Sequence, residues 1–188
     1  MKQHLTLFSL FLVTIVYAQD ENTLANKTKG YFNYTSIGML IGSSGDEQPH
    51  ITSFWMEHHY QLNQNLSLGL VTGLEWFDVM VLPLGPNLKL MLPQQKKAAY
   101  YWSLAPGYAI ALEDMEFMDM EITDTKGGAY FNTEVGYLFP SRHNYNVFVA
   151  IGYRYHEFEF TRSDWLATHV TRKITYNRFS VRLGVRLF

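Results

Sequence analysis

The stretch LSLGLVTGLEW, residues 66–76, sets Leu66, Leu68, Leu70, Leu74 and Trp76 at alternate positions, with Ser67, Gly69, Gly73 and Glu75 between them. A helix turns about 100° per residue and would scatter these apolar residues around its circumference; a strand sends successive side chains to opposite faces. The same alternation recurs along the chain. Met80 to Leu92 sets Leu82, Leu84, Leu88, Leu90 and Leu92 against Gly85, Asn87 and Lys89, and Tyr100 to Leu112 sets Trp102, Leu104, Tyr108, Ile110 and Leu112 against Ser103, Ala105, Gly107, Ala109 and Ala111. Tyr31 to Ile41, His50 to Tyr60, Gly128 to Phe139, Tyr145 to Phe160 and Ile174 to Phe188 complete about eight candidate strands. Repetition this regular over ten or so residues is an all-β signature. It applies equally to the last stretch, RFSVRLGVRLF, whose Arg178, Arg182 and Arg186 then share one strand face rather than a helical stripe.

The connections alternate in length. LNQN, PQQKK and SRHN are short and polar, whereas SSGDEQP, EDMEFMDMEITDTKG and TRSDWLATHVTRK are long; the short FDV breaks the pattern. Short turns at one end and long loops at the other are the habit of an up-and-down barrel in an outer membrane. The expected fold is therefore all-β, a transmembrane antiparallel up-and-down barrel of about eight strands.

The first eighteen residues have the form of an export signal: Lys2, then the apolar run LTLFSLFLVTIV, then Val16 and Ala18 at small-residue cleavage positions. A membrane anchor is the other reading, but twelve residues are too few to span a core of about 30 Å. The expected organisation is a signal peptide over 1–18, a polar leader over 19–29 and one barrel domain over 30–188. A formal net charge of -2 gives no basic footprint for nucleic acid. The chain has no cysteine, which excludes disulfides, thiolate metal sites and a cysteine nucleophile.

Periodicity does not say which face meets lipid. The minority face collects Glu57, Glu75, Lys89, Glu134, Arg154, Arg178, Arg182 and Arg186 among small residues. In a membrane an arginine facing lipid near the midplane costs about 2–4 kcal/mol, so this face is expected to line the lumen, its arginines paired with its glutamates. Aromatic residues gather at both strand ends: Tyr60, Tyr100, Trp102, Phe139, Tyr145 and Phe188 at the short turns, and Trp76, Phe77, Tyr130, Phe158, Phe160 and Tyr176 at the loops. Two lipid-facing aromatic girdles are expected from that clustering.

A signal peptide, some eight amphipathic strands and a last strand ending in Phe188 resemble the small outer-membrane β-barrel proteins of Gram-negative bacteria, in the style of the OmpA/OmpX-type barrels. The resemblance spans the mature chain, and LPLGPNLKLML and YYWSLAPGYAIAL look like consecutive strands of such barrels. It implies location in the cell outer membrane, contact with its lipid, and a role for Phe188 as the signal met by the barrel-insertion machinery. The family pattern has an apolar residue two before the end, where this chain has Arg186. Either Leu187 takes the lipid-facing register with Phe188 capping the end, or the signal is a variant.

Chemistry is sparse. Glu57 and His59 share a strand face, and His169 lies near Thr171, but the sequence places no serine beside a histidine and an acid. His58 and His59 are adjacent and point to opposite faces. Glu113, Asp114, Glu116, Asp119, Glu121 and Asp124 lack the spacing of a calcium loop, although Met115, Met118 and Met120 among them hint at a partner surface. The sequons at Asn26, Asn33 and Asn65 matter only in a eukaryotic secretory pathway. The expectation is a monomeric, non-enzymatic barrel without cofactor or metal, not an open porin, acting structurally or through a protein partner at its outer loops. Two alternatives stand beside it: a secreted lipocalin-like barrel holding a small apolar ligand, and an outer-membrane lipid-modifying enzyme. A part in a secretion or assembly complex is a further possibility.

Overall fold

The computed structural model describes residues 30–42, 49–77, 79–93, 98–112, 122–141, 144–163 and 169–187. The expected signal peptide and leader, Phe188 and all but the last residues of the acidic loop lie outside them. Nine strand segments follow in order: β1 Gly30–Ile41, β2 His50–Gln61, β3 Leu66–Trp76, β4 Met80–Pro93, β5 Ala99–Ala111, β6 Ile122–Lys126, β7 Gly128–Leu138, β8 Tyr145–Ser163 and β9 His169–Leu187. All pairings are antiparallel, and β1 closes onto β9 with Tyr34 opposite Arg186 and Gly38 opposite Arg182. Both β6 and β7 pair with β8, so they form one stave interrupted at Gly127 and the barrel has eight staves. The register against β8 shifts by one residue across the break, Lys126 opposing Glu159 and Tyr130 opposing His156. The backbone there is close enough to β5 that a Cβ on Gly127 would lie 1.8 Å from the Ala109 carbonyl oxygen.

Two readings of the loops are corrected here. The segment ending in ITDTK is not all loop, since Ile122–Lys126 is the strand β6. Most of TRSDWLATHVTRK is strand as well: β8 and β9 each run 19 residues and pair from Tyr145 with Leu187 to Ser163 with His169. Among the described residues only β6 flanks the far part of this hairpin, because β1 pairs with β9 no further than Phe179 and β7 with β8 no further than His156.

The outward face of the hairpin marks the edge of the bilayer. Its outward pairs are Tyr145 with Leu187, Val147 with Val185, Val149 with Leu183, Ile151 with Val181 and Tyr153 with Phe179. Above them Tyr155 faces Asn177, Glu157 faces Thr175 and Glu159 faces Lys173. Eight steps of about 3.3 Å make about 26 Å along the strand, or about 20 Å across a membrane at a tilt near 40°, close to the apolar band of such barrels. Ile37, Leu70, Leu92, Ile151, Phe179 and Leu183 are each more than half exposed on this outer wall.

The aromatic rims differ from expectation at the loop end. Tyr60, Tyr100, Trp102, Phe139 and Tyr145 are exposed on the outer wall at the short-turn end, as a girdle requires. At the other end Trp76 is exposed, but Phe77, Tyr130 and Phe158 are buried, and Tyr176 packs with Phe77 and Phe158. They close the top of the lumen instead. The strand parity carried this information: Tyr130 shares its face with Glu134, Phe158 with Arg154, and Tyr176 with Arg178.

Candidate functional site

Among the described residues, buried ionisable side chains converge in the lumen. Glu57 on β2 accepts hydrogen bonds from Lys89 Nζ at 2.7 Å, Asn87 Nδ2 at 3.1 Å and Arg182 Nη2 at 2.7 Å. The same Arg182 nitrogen pairs with Glu134 on β7. Closer to the outer rim, Glu75 Oε1 accepts from Trp55 Nε1 at 2.8 Å and Ser53 Oγ at 3.1 Å and pairs with Arg154, while His156 Nε2 lies 2.7 Å from Oε2. Arg154 also donates to Asn132 at 3.1 Å. Closure of the barrel is what assembles these groups, since 125 residues separate Arg182 from Glu57.

Aromatic faces hold the cations as well. The guanidinium of Arg154 lies 3.7 Å from the Trp55 ring centroid, and Lys89 Nζ lies 3.6 Å from that of Tyr34. Arg178 sits over Tyr176 and Phe77, and Arg186 sits 3.9 Å from Phe32 while donating to Gln61 at 3.1 Å. Such contacts favour a desolvated cation by about 2 kcal/mol. Among the described lumenal groups, five cations (Lys89, Arg154, Arg178, Arg182, Arg186) face three carboxylates (Glu57, Glu75, Glu134), so aromatic rings supply part of the compensation.

Apolar layers sit on either side of the charges. Phe32, Tyr34, Met91, Tyr101, Leu138 and Phe148 cluster toward the short turns; Leu40, Ile51, Val71, Val81, Phe77 and Phe158 cluster toward the outer rim. The eight charged residues read from the sequence all stand on the inner face and are buried, Arg186 least so at 9% exposure. Leu187 opposes Asn33 on β1 and Tyr145 on β8, both on the outer wall, so it takes the lipid-facing register and Arg186 points inward.

Ser67, His59 and Glu57 form an arrangement that the sequence reading did not find. Ser67 Oγ lies 3.3 Å from His59 Nδ1, and His59 Nε2 lies 3.1 Å from Glu57 Oε2. This corrects the expectation that no serine meets a histidine and an acid. The order of atoms is that of a nucleophile, base and orienting acid. Yet Ser67 is 2% exposed and His59 1%, leaving no approach for a substrate, and Glu57 is shared with Lys89 and Arg182. The trio is part of the charge network. Sequence offered a faint sign of it: His59 and Ser67 lie inward, near the turn that joins β2 and β3, with Gln61 paired to Ser67. His58 faces outward and meets Tyr31, so the two histidines do stand on opposite walls. No metal-binding group of three ligands occurs among the described residues. The acidic loop from Glu113 to Glu121 lies outside them, and His169 opens β9.

An apolar outer wall around a charged, filled lumen is the polarity of a barrel solvated by lipid. The fold is that of the small outer-membrane β-barrels. The crystal structure of the outer membrane protein OprG from Pseudomonas aeruginosa superposes with a TM-score of 0.63 at 12% identity, covering 85% of this chain and 96% of that one. The solid-state NMR structure of outer membrane protein AlkL in DMPC lipid bilayers superposes with a TM-score of 0.53 at 15% identity, covering 90% and 96%. No protein-family model and no curated protein matches the sequence. The secreted lipocalin-like alternative requires a polar outer wall with its charges on it, whereas here the outer wall is apolar and the eight charged side chains lie inside, between the apolar layers.

Proposed function

We propose that this outer-membrane barrel is a closed, monomeric and non-enzymatic protein that acts through the surface it raises above the membrane. The filled lumen carries the reading: two apolar layers enclose a charge network whose largest members, Trp55, Arg154, Arg178 and Arg182, have almost no exposed surface. An interior of this size packed with side chains does not conduct. Among the described residues, what remains available is the β8–β9 hairpin, which extends ten residues per strand beyond Tyr153 and Phe179 with β6 at one flank. Its outward face alternates Glu157, Glu159, Lys173 and Thr175, a polar surface suited to a protein partner at the cell exterior. The last strand is the part offered to the insertion machinery. The lipid-modifying alternative finds its best support in Ser67, His59 and Glu57, which are sealed from lipid.

Planar-bilayer recording of the refolded barrel tests closure. No stable conductance steps are expected, and reproducible ohmic steps would overturn the reading. Photo-crosslinkers at Thr171 and Thr175 on intact cells test the surface. Adducts to a defined partner from these positions, and none from Val149 in the lipid belt, are the expected result; equal labelling from all three would refute it.

A further inference from the structure

The lipid-facing wall is not uniform. Cross-strand register aligns Leu92 of β4, Tyr100 of β5, Tyr137 of β7 and Val149 of β8 in one ridge across four staves. Two residues along each strand, Leu90, Trp102, Val135 and Ile151 make a second ridge parallel to the first. Between them runs a groove of about 570 Å³, almost wholly apolar. Its floor is formed at Tyr101, Gly136 and Ala150, whose places between the ridges belong to the lumen-facing side of each strand. Glycine at 136 keeps the wall thin there: a Cβ would come within 2.3 Å of the Tyr101 ring.

We propose that this groove holds one acyl chain of a periplasmic-leaflet phospholipid as a retained lipid, distinct from the exchanging lipid around the rest of the barrel. The groove is continuous with the lipid-facing interface already described, since both ridges belong to the exposed apolar belt. Its course suits a chain entering from the short-turn end, which is the periplasmic end in barrels of this kind. On β5 it starts at Tyr100, one residue into the strand, whereas on β8 it reaches Val149, four residues in and still below Tyr153 at the belt's upper edge. Because the staves are staggered, it therefore climbs from the membrane edge toward the middle. Three strand spacings of about 4.8 Å give it a length of about 14 Å, close to half of a hydrocarbon core of about 30 Å. At its lower end the Tyr100 and Tyr137 rings lie 4.9 Å apart, with Phe139 5.0 Å from Tyr137. Tyrosines at this depth place hydroxyls among lipid head groups and rings beside the chain.

This inference rests on the membrane-barrel reading, and the test separates the two. The full chain is extracted in mild detergent, stripped of loosely held lipid, offered a phosphatidylethanolamine and weighed intact by native mass spectrometry. The wild type and a Leu70→Phe control on the distant β3 wall are expected to keep one phospholipid per barrel. Val135→Phe with Val149→Phe fills the groove from exposed positions and is expected to lose it while retaining heat-modifiable migration. A phosphatidylethanolamine brominated in mid-chain gives a second readout: the difference in tryptophan quenching between wild type and Trp102→Phe should disappear in the filled variant. Absence of retained lipid in the wild type, equal retention in the filled variant, or a protein rather than a lipid bound at this wall would each overturn the proposal. A chain soluble without detergent would instead overturn the membrane reading beneath it.

Discussion

Arg182→Met is the substitution that most directly probes the lumen. One guanidinium nitrogen of Arg182 serves both Glu57 and Glu134, and all three side chains have 1% exposure or less. Methionine fills similar volume, so the loss is chiefly electrostatic. After the change Glu57 keeps Lys89 and Asn87, but Glu134 loses the ion pair that joins it to the network. Leaving one charge of a buried pair uncompensated costs about 3–5 kcal/mol. With a denaturant dependence of about 2 kcal/mol per molar, a loss of about 4 kcal/mol lowers the urea midpoint by about 2 M. Reversible urea unfolding in lipid vesicles, followed by tryptophan fluorescence, measures this. Adding Glu134→Gln removes the stranded carboxylate, so the double variant should recover a substantial part of the loss. A single-variant cost under about 1 kcal/mol, the level of an exposed pair, would refute the network as described. Strict additivity of the two changes would refute it equally.

Two further outcomes follow from the belt and the hairpin. Leu183→Arg, in the apolar belt, should destabilise the inserted barrel by about 2–4 kcal/mol, while Asn177→Arg, above the edge at Phe179, should cost about 0–1 kcal/mol; equal costs in vesicle unfolding would place the membrane edge wrongly. Outside the membrane, the hydrogen bond from Lys173 Nζ, 2.5 Å from Glu157 Oε1, holds the Glu157 carboxyl below its ordinary value. A depressed carboxyl stabilises above its unfolded pKa and ceases to do so as the pH falls through the folded one. Amide protection around Glu157 and Lys173, corrected for the intrinsic pH dependence of exchange, should therefore fall as pH drops below the usual carboxylate range, with protection in the barrel unchanged, and pH-independent protection there would count against the pair.

The membrane-spanning part of the fold was legible because lipid imposes a period of two on every strand it touches. Above Tyr153 and Phe179 that constraint ends. The outward Lys173, Thr175 and Asn177 are polar and carry no apolar row, so the strand signal vanishes although the backbone ladder continues to Ser163 and His169. Strand β6 escaped for the same reason, lying in an acidic segment. The inward aromatics show the opposite case: residue type alone puts Tyr130 and Phe158 in a lipid-facing girdle, whereas parity with Glu134 and Arg154 puts them inside. The lumen residues were legible as a face but not as partners. Which glutamate meets Arg182 depends on the register of eight staves around a closed ring, and no local pattern encodes that Glu75 takes Arg154 while Glu57 and Glu134 share Arg182.

The lumenal charges also specify the barrel's register. Slipping β9 by one residue against β1 and β8 would turn Arg178, Arg182 and Arg186 onto the lipid wall and Phe179, Val181 and Leu183 into the lumen. Arg182, level with the middle of the belt, would cost about 2–4 kcal/mol there, and the two nearer the edges about 0–1 kcal/mol each. Glu57 and Glu134 would lose their shared partner in the same step, adding about 3–5 kcal/mol. Together these reach about 5–11 kcal/mol, comparable with the whole stability of a typical fold of about 5–15 kcal/mol. A buried ion network is weak evidence for net stability, since an apolar core of the same volume does as well. An apolar lumen, however, would make the two faces of each strand alike and leave register to the turns alone. The three arginines that close the chain thus distinguish inside from outside on the strand that seals the barrel.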